Sequence, residues 1–272
     1  MIIEDDFFEP IIYRRKEYKR IKDSELFRTV EEVFDARTVL TLYGLMRKRI
    51  IRRMNGVISS GKEARVYLAY GPRDEKYAVK IYFTSTAMFK KGILKYIIGD
   101  PRFEGYRPRD TRGLIYLWTR KEFRNLKRLY DAGVKVPRPI AYSNNVLVME
   151  FQGEDNKRYP LLYEVYQELD HEELLKIYNQ VIEENNKMVC KARLIHGDLS
   201  EYNIMIKPDL DIVIIDVGQA VPPEHPNALE FLERDVRNIT RFFREEAGLK
   251  EVVEPSELME VYLRCLEKRR ED

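Results

Sequence analysis

His196-Gly197-Asp198-Leu199-Ser200-Glu201-Tyr202-Asn203, followed by Ile212-Val213-Ile214-Ile215-Asp216-Val217-Gly218, is the stretch on which the reading of this chain turns. The apolar runs Asn203 to Ile206 and Asp211 to Ile215 read as short strands. Asp198, Asn203 and Asp216 then fall at loop positions around one point. A carboxylate there can orient an attacking hydroxyl, and the remaining oxygens can ligate Mg²⁺, which prefers carboxylate and carbonyl oxygens together with phosphate oxygens and water. Phosphoryl transfer asks little more of a protein than positioning and charge compensation.

Upstream, Ala78-Val79-Lys80-Ile81 sets a lysine inside an apolar strand, a costly burial unless a partner satisfies the charge. A phosphate and a carboxylate would do so, and Glu122 on the following helix is the candidate carboxylate. Gly56-Val57-Ile58-Ser59-Ser60-Gly61-Lys62-Glu63 comes close to the phosphate-binding pattern G-x-x-x-x-G-K-[ST]. Glu63 stands where the Mg²⁺-binding hydroxyl belongs, and a strand follows where that pattern needs a helix. A P-loop nucleoside triphosphatase is therefore excluded. The segment fits instead a strand–turn–strand lid over phosphates, with Ser59, Gly61, Ala64 and Val66 aligning on G-x-G-x-x-G-x-V.

Around these motifs the periodicity is two in the first half and helical in the second. Val57-Ile58, Arg65 to Tyr70, Tyr77 to Phe83, Ile140 to Tyr142 and Val146 to Phe151 read as strands, with Gly71-Pro72-Arg73-Asp74 as a tight antiparallel turn. Helices are expected over Leu114 to Ala132, stopped by Gly133, and over Tyr163 to Glu168, Glu172 to Ala192, Glu230 to Glu246 and Glu257 to Lys268. Two more precede the strands. One carries Leu26, Val30, Val33 and Phe34; the other runs Thr38 to Met54 and ends in the basic cluster Arg47 to Arg53. Residues 84–113 hold two prolines and four glycines, and Thr84 to Lys121 carries nine Lys/Arg against three Asp/Glu. This reads as a long mobile basic loop with one short helix, Met88 to Ile98. The polar stretch to residue 159 reads as a linker. The expected organisation is a helical extension over 1–50, a strand-rich lobe over 51–151 and a helical lobe over 152–272.

Composition bounds the rest. The 272 residues are 44% hydrophobic and 35% charged, with net charge +2, which excludes a uniformly basic nucleic-acid binder but not a local basic face. Cys190 and Cys265 stand far apart and read as two reduced thiols. Three histidines make a His/Cys zinc site improbable. No apolar run approaches about 18 residues, so no membrane partner is expected. The acidic N-terminus lacks a signal-peptide pattern, and a cytoplasmic protein is expected.

The chain resembles the protein-kinase-like fold, and within it the RIO family of atypical serine/threonine protein kinases, in an archaeal form of the Rio1 branch. The residues that carry this are Ser59-Ser60-Gly61-Lys62-Glu63-Ala64, Val79-Lys80, Met149-Glu150-Phe151, His196 to Asn203, and Ile215-Asp216-Val217-Gly218-Gln219-Ala220-Val221. The resemblance implies a bilobal α+β fold with an antiparallel N-lobe sheet and a helical C-lobe. It departs from ordinary kinases in having Ser200 two positions after Asp198, where a lysine is usual. It also has no A-P-E motif, so an activation segment and a peptide-docking subdomain are expected to be absent. Carried over, Lys80 would hold the α/β-phosphates of ATP and pair with Glu122. Asp198 would be the catalytic base, and Asn203 and Asp216 would bind Mg²⁺, or Mn²⁺. Met149 would be the gatekeeper, and the Glu150 carbonyl and Gln152 amide would meet the adenine edge. Ser59 and Ser60 could touch phosphates, and Asp216 could accept the γ-phosphate. The resemblance further implies a kinase or ATPase acting in small-ribosomal-subunit maturation, with the pre-ribosomal particle or its rRNA as partner and an unknown protein substrate. A small-molecule phosphotransferase and a non-catalytic RNA-binding scaffold are the alternatives. Gly218-Gln219-Ala220-Val221 weighs against the first, and intact Lys80, Asp198, Asn203 and Asp216 against the second.

Overall fold

The computed structural model describes residues 35–84, 92–106 and 110–267. Helix α1 (Ala36–Arg47) opens it, capped by Asp35, whose side chain accepts from the Thr38 N–H at 2.8 Å. Strands β1 (Arg53–Ser60), β2 (Ala64–Tyr70), β3 (Lys76–Tyr82), β4 (Pro139–Ser143) and β5 (Val146–Glu150) form one antiparallel sheet in the order β1-β2-β3-β5-β4. Helix α2 (Thr111–Asp131) lies between β3 and β4 in sequence; Asp110 caps its start and Gly133, at φ +77°, ends it. The C-lobe holds α3 (Leu162–Val165), α4 (His171–Asn186), α5 (Ala228–Arg241) and α6 (Pro255–Glu267), with the small hairpins β6 (Gly153–Glu154)/β7 (Lys157–Arg158) and β8 (Ile204–Ile206)/β9 (Ile212–Ile214). This is the expected bilobal α+β kinase-like fold.

Among the described residues four apolar cores hold it together, the smallest of them Leu68, Tyr70, Ala78 and Phe151. Leu42 and Leu45 of α1 pack on Tyr67, Val79, Ile81 and Val148 of the sheet. Leu126 and Leu129 of α2 join Ile177 and Val181 of α4, with Phe242 and Phe243 beyond α5. The other end of α2, Leu114, Leu117 and Trp118, packs with Tyr96, Phe103, Phe231 and Tyr262. One helix therefore contributes to two of these cores.

Several expectations need correction. The run Thr38 to Met54 is not one helix: α1 ends at Arg47, Arg49 turns the chain at φ 58°, and Ile51 is fully buried beneath the sheet while Arg53 and Met54 enter β1. Of residues 84–113, expected as a long mobile loop, the stretch 92–106 is packed, while 85–91 and 107–109 lie outside the described residues. Ile93, Tyr96, Ile97 and Phe103 are buried, and Gly99 and Gly105 serve turns at φ +85° and +78°, Gly99 lying directly on Pro226. The polar linker is the β6/β7 hairpin, whose turn residues Asp155 and Asn156 both take positive φ. The helices read to Ala192 and Glu246 stop earlier as regular helices, each closing in a wider turn, Lys187–Lys191 and Phe242–Glu246. Cys190 and Cys265, expected as free thiols, form a disulfide. Packing of α6 on the turn after α4 brings their Cα atoms to 5.6 Å, a proximity that 75 residues of sequence separation conceal. The amphipathic run Leu26 to Phe34 lies outside the described residues. Among the described residues no helix is long and apolar enough to cross a membrane.

Candidate active site

Lys80 sits in the middle of the sheet, where β3 is buried on both faces, and is only 9% exposed. Its Nζ donates to Glu122 Oε1 of α2 at 2.8 Å and to Asp216 Oδ1 at 2.8 Å. Tyr82, two residues along β3, donates its hydroxyl to the other oxygen of Glu122. Burial opposes the lysine's charge, but Asp216 and Glu122 together hold its pKa above the ordinary value. Burial pushes the Glu122 carboxyl up to about 7 against the pull of Lys80. Lys80 holds Asp216, half exposed to the cleft, below the usual carboxylate range.

The other two residues of the opening motif share a loop with a dense set of supports. The β8/β9 hairpin brings the chain back, so that the Ile215 N–H donates to the Asn203 carbonyl at 2.9 Å. The Asn203 side chain donates to the Asp198 carbonyl at 2.7 Å. An Ile195–Val221 bridge ties the two loops together from behind, and the His196 ring meets the Ile215 carbonyl at 3.2 Å. Asp235 of α5 reaches up with both oxygens, accepting from Gly197 N–H at 2.7 Å and Leu199 N–H at 2.8 Å, so it brackets Asp198. Its neighbour Arg234 donates to the Gly197 carbonyl. Asp216 takes the left-handed conformation, φ 60° and ψ 56°, a costly backbone state held by its surroundings. Burial raises the Asp198 carboxyl, with Asp216 adding to the rise and His196 opposing it. Burial drives the His196 pKa down, against the pull of Asp198.

Helix α2 grips the segment that follows Asp216. Lys121 is fully buried; its Nζ donates to the carbonyls of Gly218 at 2.8 Å and Ala220 at 2.5 Å. Asn125, also fully buried, donates to Val217 and Ala220 carbonyls at 2.8 and 2.9 Å. Arg102 of the packed 92–106 segment donates to Asn125 Oδ1 at 2.7 Å and to the Ala220 carbonyl at 3.3 Å. Gln219 points forward, its Nε2 donating to Asp198 Oδ2 at 3.0 Å.

Lys80, Glu122 and Asp216 are thus brought into direct contact, and Asp198 and Asn203 into the adjoining loop. Strand register places Ser59 opposite Val66 and Val66 opposite Lys80, so Ser59 stands two strands from the lysine, on the order of 10 Å away. Ser60 is exposed and accepts from Arg65 at 3.3 Å. Met149 and Glu150 end β5, beside Ala78 and Tyr77, and Gln152 follows, its carbonyl taken by the Tyr159 N–H at 3.0 Å. A hollow of about 250 Å³ opens beside Asp198, between Tyr96, Trp118, Gln219 and Arg234. A second, about 360 Å³, lies under the lid edge between Val57, Ile58, Arg158 and Pro160. Tyr82, Lys121, Asn125 and Asp235 escaped the sequence reading, and Gln219 entered it only as part of the motif after Asp216, with no role of its own. Lys121, Asn125 and Asp235 did leave a trace, as polar residues on the apolar stripe of an amphipathic helix.

The RIO domain family matches residues 65–256. The RIO-type serine/threonine-protein kinase Rio1 of Haloferax volcanii is 44% identical over 229 residues, 84% of this chain and 76% of that one. Its namesake in Methanocaldococcus jannaschii is 42% identical, covering 84% and 75%. The human serine/threonine-protein kinase RIO1 is 43% identical over 82% of this chain, which spans only 39% of the human protein's length. Among solved structures, the Rio2 kinase–ADP/Mg²⁺–phosphoaspartate complex from Chaetomium thermophilum matches with TM-score 0.64 at 23% identity, covering 90% of this chain and 79% of that one, a likeness of fold. On these grounds the chain belongs to the RIO family of serine/threonine-protein kinases, in its Rio1 branch.

Proposed function

We propose that the chain transfers the γ-phosphoryl group of ATP to serine or threonine hydroxyls, that it also turns ATP over through Asp216, and that it works on the maturing small ribosomal subunit. The observation that carries the phosphotransfer reading is Lys80 bonded at once to Glu122 and Asp216, both at 2.8 Å, beside the Asp198–Asn203 loop. Lys80, held charged and aimed by Glu122, binds phosphate oxygens; the backbone around Glu150 and Gln152 receives the adenine, with Met149 behind it. Ser59 and Ser60 close the lid over the phosphates.

Asp216 and Asn203 supply two oxygen donors, and no cluster of three or more His, Cys, Asp or Glu suited to a metal occurs among the described residues. Such a sparse set fits Mg²⁺, or Mn²⁺, which completes its shell with phosphate oxygens and water. When bound, the cation neutralises charge on the phosphate oxygens. Asp198 accepts the proton of the acceptor hydroxyl. In the second reaction an Asp216 oxygen attacks the γ-phosphorus, the bond to the ADP oxygen breaks, and water later hydrolyses the acyl phosphate to carboxylate and inorganic phosphate. The phosphoaspartate in the Rio2 complex supports this step. The ribosomal assignment rests on the family and on the exposed run Arg47, Lys48, Arg49, Arg52 and Arg53, a patch suited to RNA phosphates.

The test is incubation of the wild type, Asp198→Asn and Asp216→Ala with γ-labelled ATP and Mg²⁺, followed by hydroxylamine. Asp198→Asn should lose label on protein hydroxyls, keep nucleotide affinity and still form hydroxylamine-labile label. Asp216→Ala should lose both. Normal hydroxyl phosphorylation by Asp198→Asn would refute the base assignment; label resisting hydroxylamine in all three proteins would remove the aspartyl-phosphate step.

A further inference from the structure

Catalysis by Asp198 needs its carboxylate in one orientation, and an aspartate side chain does not supply that alone, because rotation about its last bond is broad and roughly two-fold. Something must select the rotamer. Among the described residues, the side-chain hydrogen bond recorded to this carboxylate comes from Gln219, Nε2 to Oδ2 at 3.0 Å. Arg234 lies near, but the hydrogen bonds of its guanidinium, both from Nη2, go to the Gly197 carbonyl and the Tyr96 hydroxyl rather than to Asp198.

The mount of Gln219 is unusually firm. The residues on either side, Gly218 and Ala220, have their carbonyls held by fully buried Lys121. Asn125 holds Val217 and Ala220. Trp118 presses on Gly218, where even a Cβ would meet the indole at 3.0 Å. Fixing a backbone this thoroughly, with a buried lysine that lacks a bonded carboxylate, is expensive unless the geometry it secures is used. The side chain it aims lies in the wall of the 250 Å³ hollow that borders Asp198.

We propose that Gln219 is a positioning residue for Asp198: its amide takes Oδ2, locks the carboxylate, and leaves Oδ1 for the acceptor hydroxyl entering from the hollow between Tyr96 and Trp118. The inference rests on the reading of Asp198 as the proton acceptor. A carboxamide suits the task because it donates without neutralising the carboxylate, which a cation in the same place would pair with and weaken as a base. It also links the two carboxylates of the site: Gln219 stands one tight turn after Asp216, so the same backbone sets both.

The experiment is steady-state phosphotransfer by the full chain and two variants, Gln219→Leu and Gln219→Glu, with nucleotide affinity and thermal midpoint measured alongside. Gln219→Leu keeps the bulk and loses the donor; it should lower kcat roughly 10- to 100-fold while KM for ATP, nucleotide affinity and midpoint stay near wild type. Gln219→Glu should be worse, facing one carboxylate with another. Wild-type kcat in Gln219→Leu would overturn the proposal. So would a fall in kcat matched by a lowered midpoint and weakened nucleotide binding, since that is the signature of a purely structural residue. A wild type that phosphorylates no hydroxyl at all would instead remove the underlying reading of Asp198, and the proposal with it.

Discussion

At the scale of single residues, Asp235 shows how a carboxylate can serve a site without facing it. It is fully buried on α5, accepts two backbone N–H groups that bracket Asp198, and has its pKa pushed by burial up to about 7. Between the ordinary value of 3.8 and about 7, the folded protein holds a proton that the unfolded chain has released. Stability contributed by this group therefore falls as pH rises through that interval. Asp235→Asn removes the titration. Its stability, read from denaturant midpoints at several pH values, should vary less between about pH 4 and 7 than that of the wild type. It should also be lower throughout, because one carboxamide oxygen must serve two N–H donors. Parallel profiles for the two proteins would show that Asp235 does not titrate there. Lys80 and Asp216 could be picked out beforehand because one interrupts an apolar strand and the other follows one, Asp198 and Asn203 because their motif sets them in the loop before the next strand, and Glu122 as a carboxylate on the helix after Lys80. Gln219 could not: a glutamine in a loop looks alike whether it faces water or a carboxylate.

Helix α2 joins the cleft's two sides, through Glu122 to Lys80 and through Lys121 and Asn125 to the segment after Asp216. Burial holds the Lys121 amine well below its usual pKa, with Arg102 adding to the effect. Replacing it by Met keeps the volume, takes the Lys121 donor from the Gly218 carbonyl and leaves the Ala220 carbonyl to Asn125 and Arg102. Lys121→Met should cost about 1–3 kcal/mol, visible as a lowered thermal midpoint. Lys121→Met with Asn125→Leu should cost more than the two separate losses added, since either side chain alone still serves the Ala220 carbonyl that both share. An unchanged midpoint in Lys121→Met would mean that water replaces the amine. The strands and main helices of both lobes were legible from their periods of two and 3.6. The 92–106 segment was not. Its order comes from distant partners, Tyr96 packing on Phe231 at 4.9 Å and Arg102 reaching Asn125 and Ala220, and no local pattern encodes those.

For the molecule as a whole, lobe order and cleft follow from the motifs, but the closure of the C-lobe does not. The Cys190–Cys265 bridge fastens α6 to the turn after α4 across 75 residues. By loop-closure entropy it constrains the unfolded chain by on the order of 4 kcal/mol. Reductant, or Cys265→Ser, should lower the thermal midpoint of the full chain, and two reactive thiols in the untreated protein would show that the bridge does not form. The bridge also decides how the protein bears tension. Asp198, Asn203, Asp216, Gln219 and α5 all lie between the two cysteines, inside a covalent ring. A pull on the chain from beyond residue 265, as an unfoldase would apply, passes through sulfur straight to the end of α4. The loops that carry Asp198 and Asp216 are shunted out of the load path and stay slack for as long as the bridge is intact.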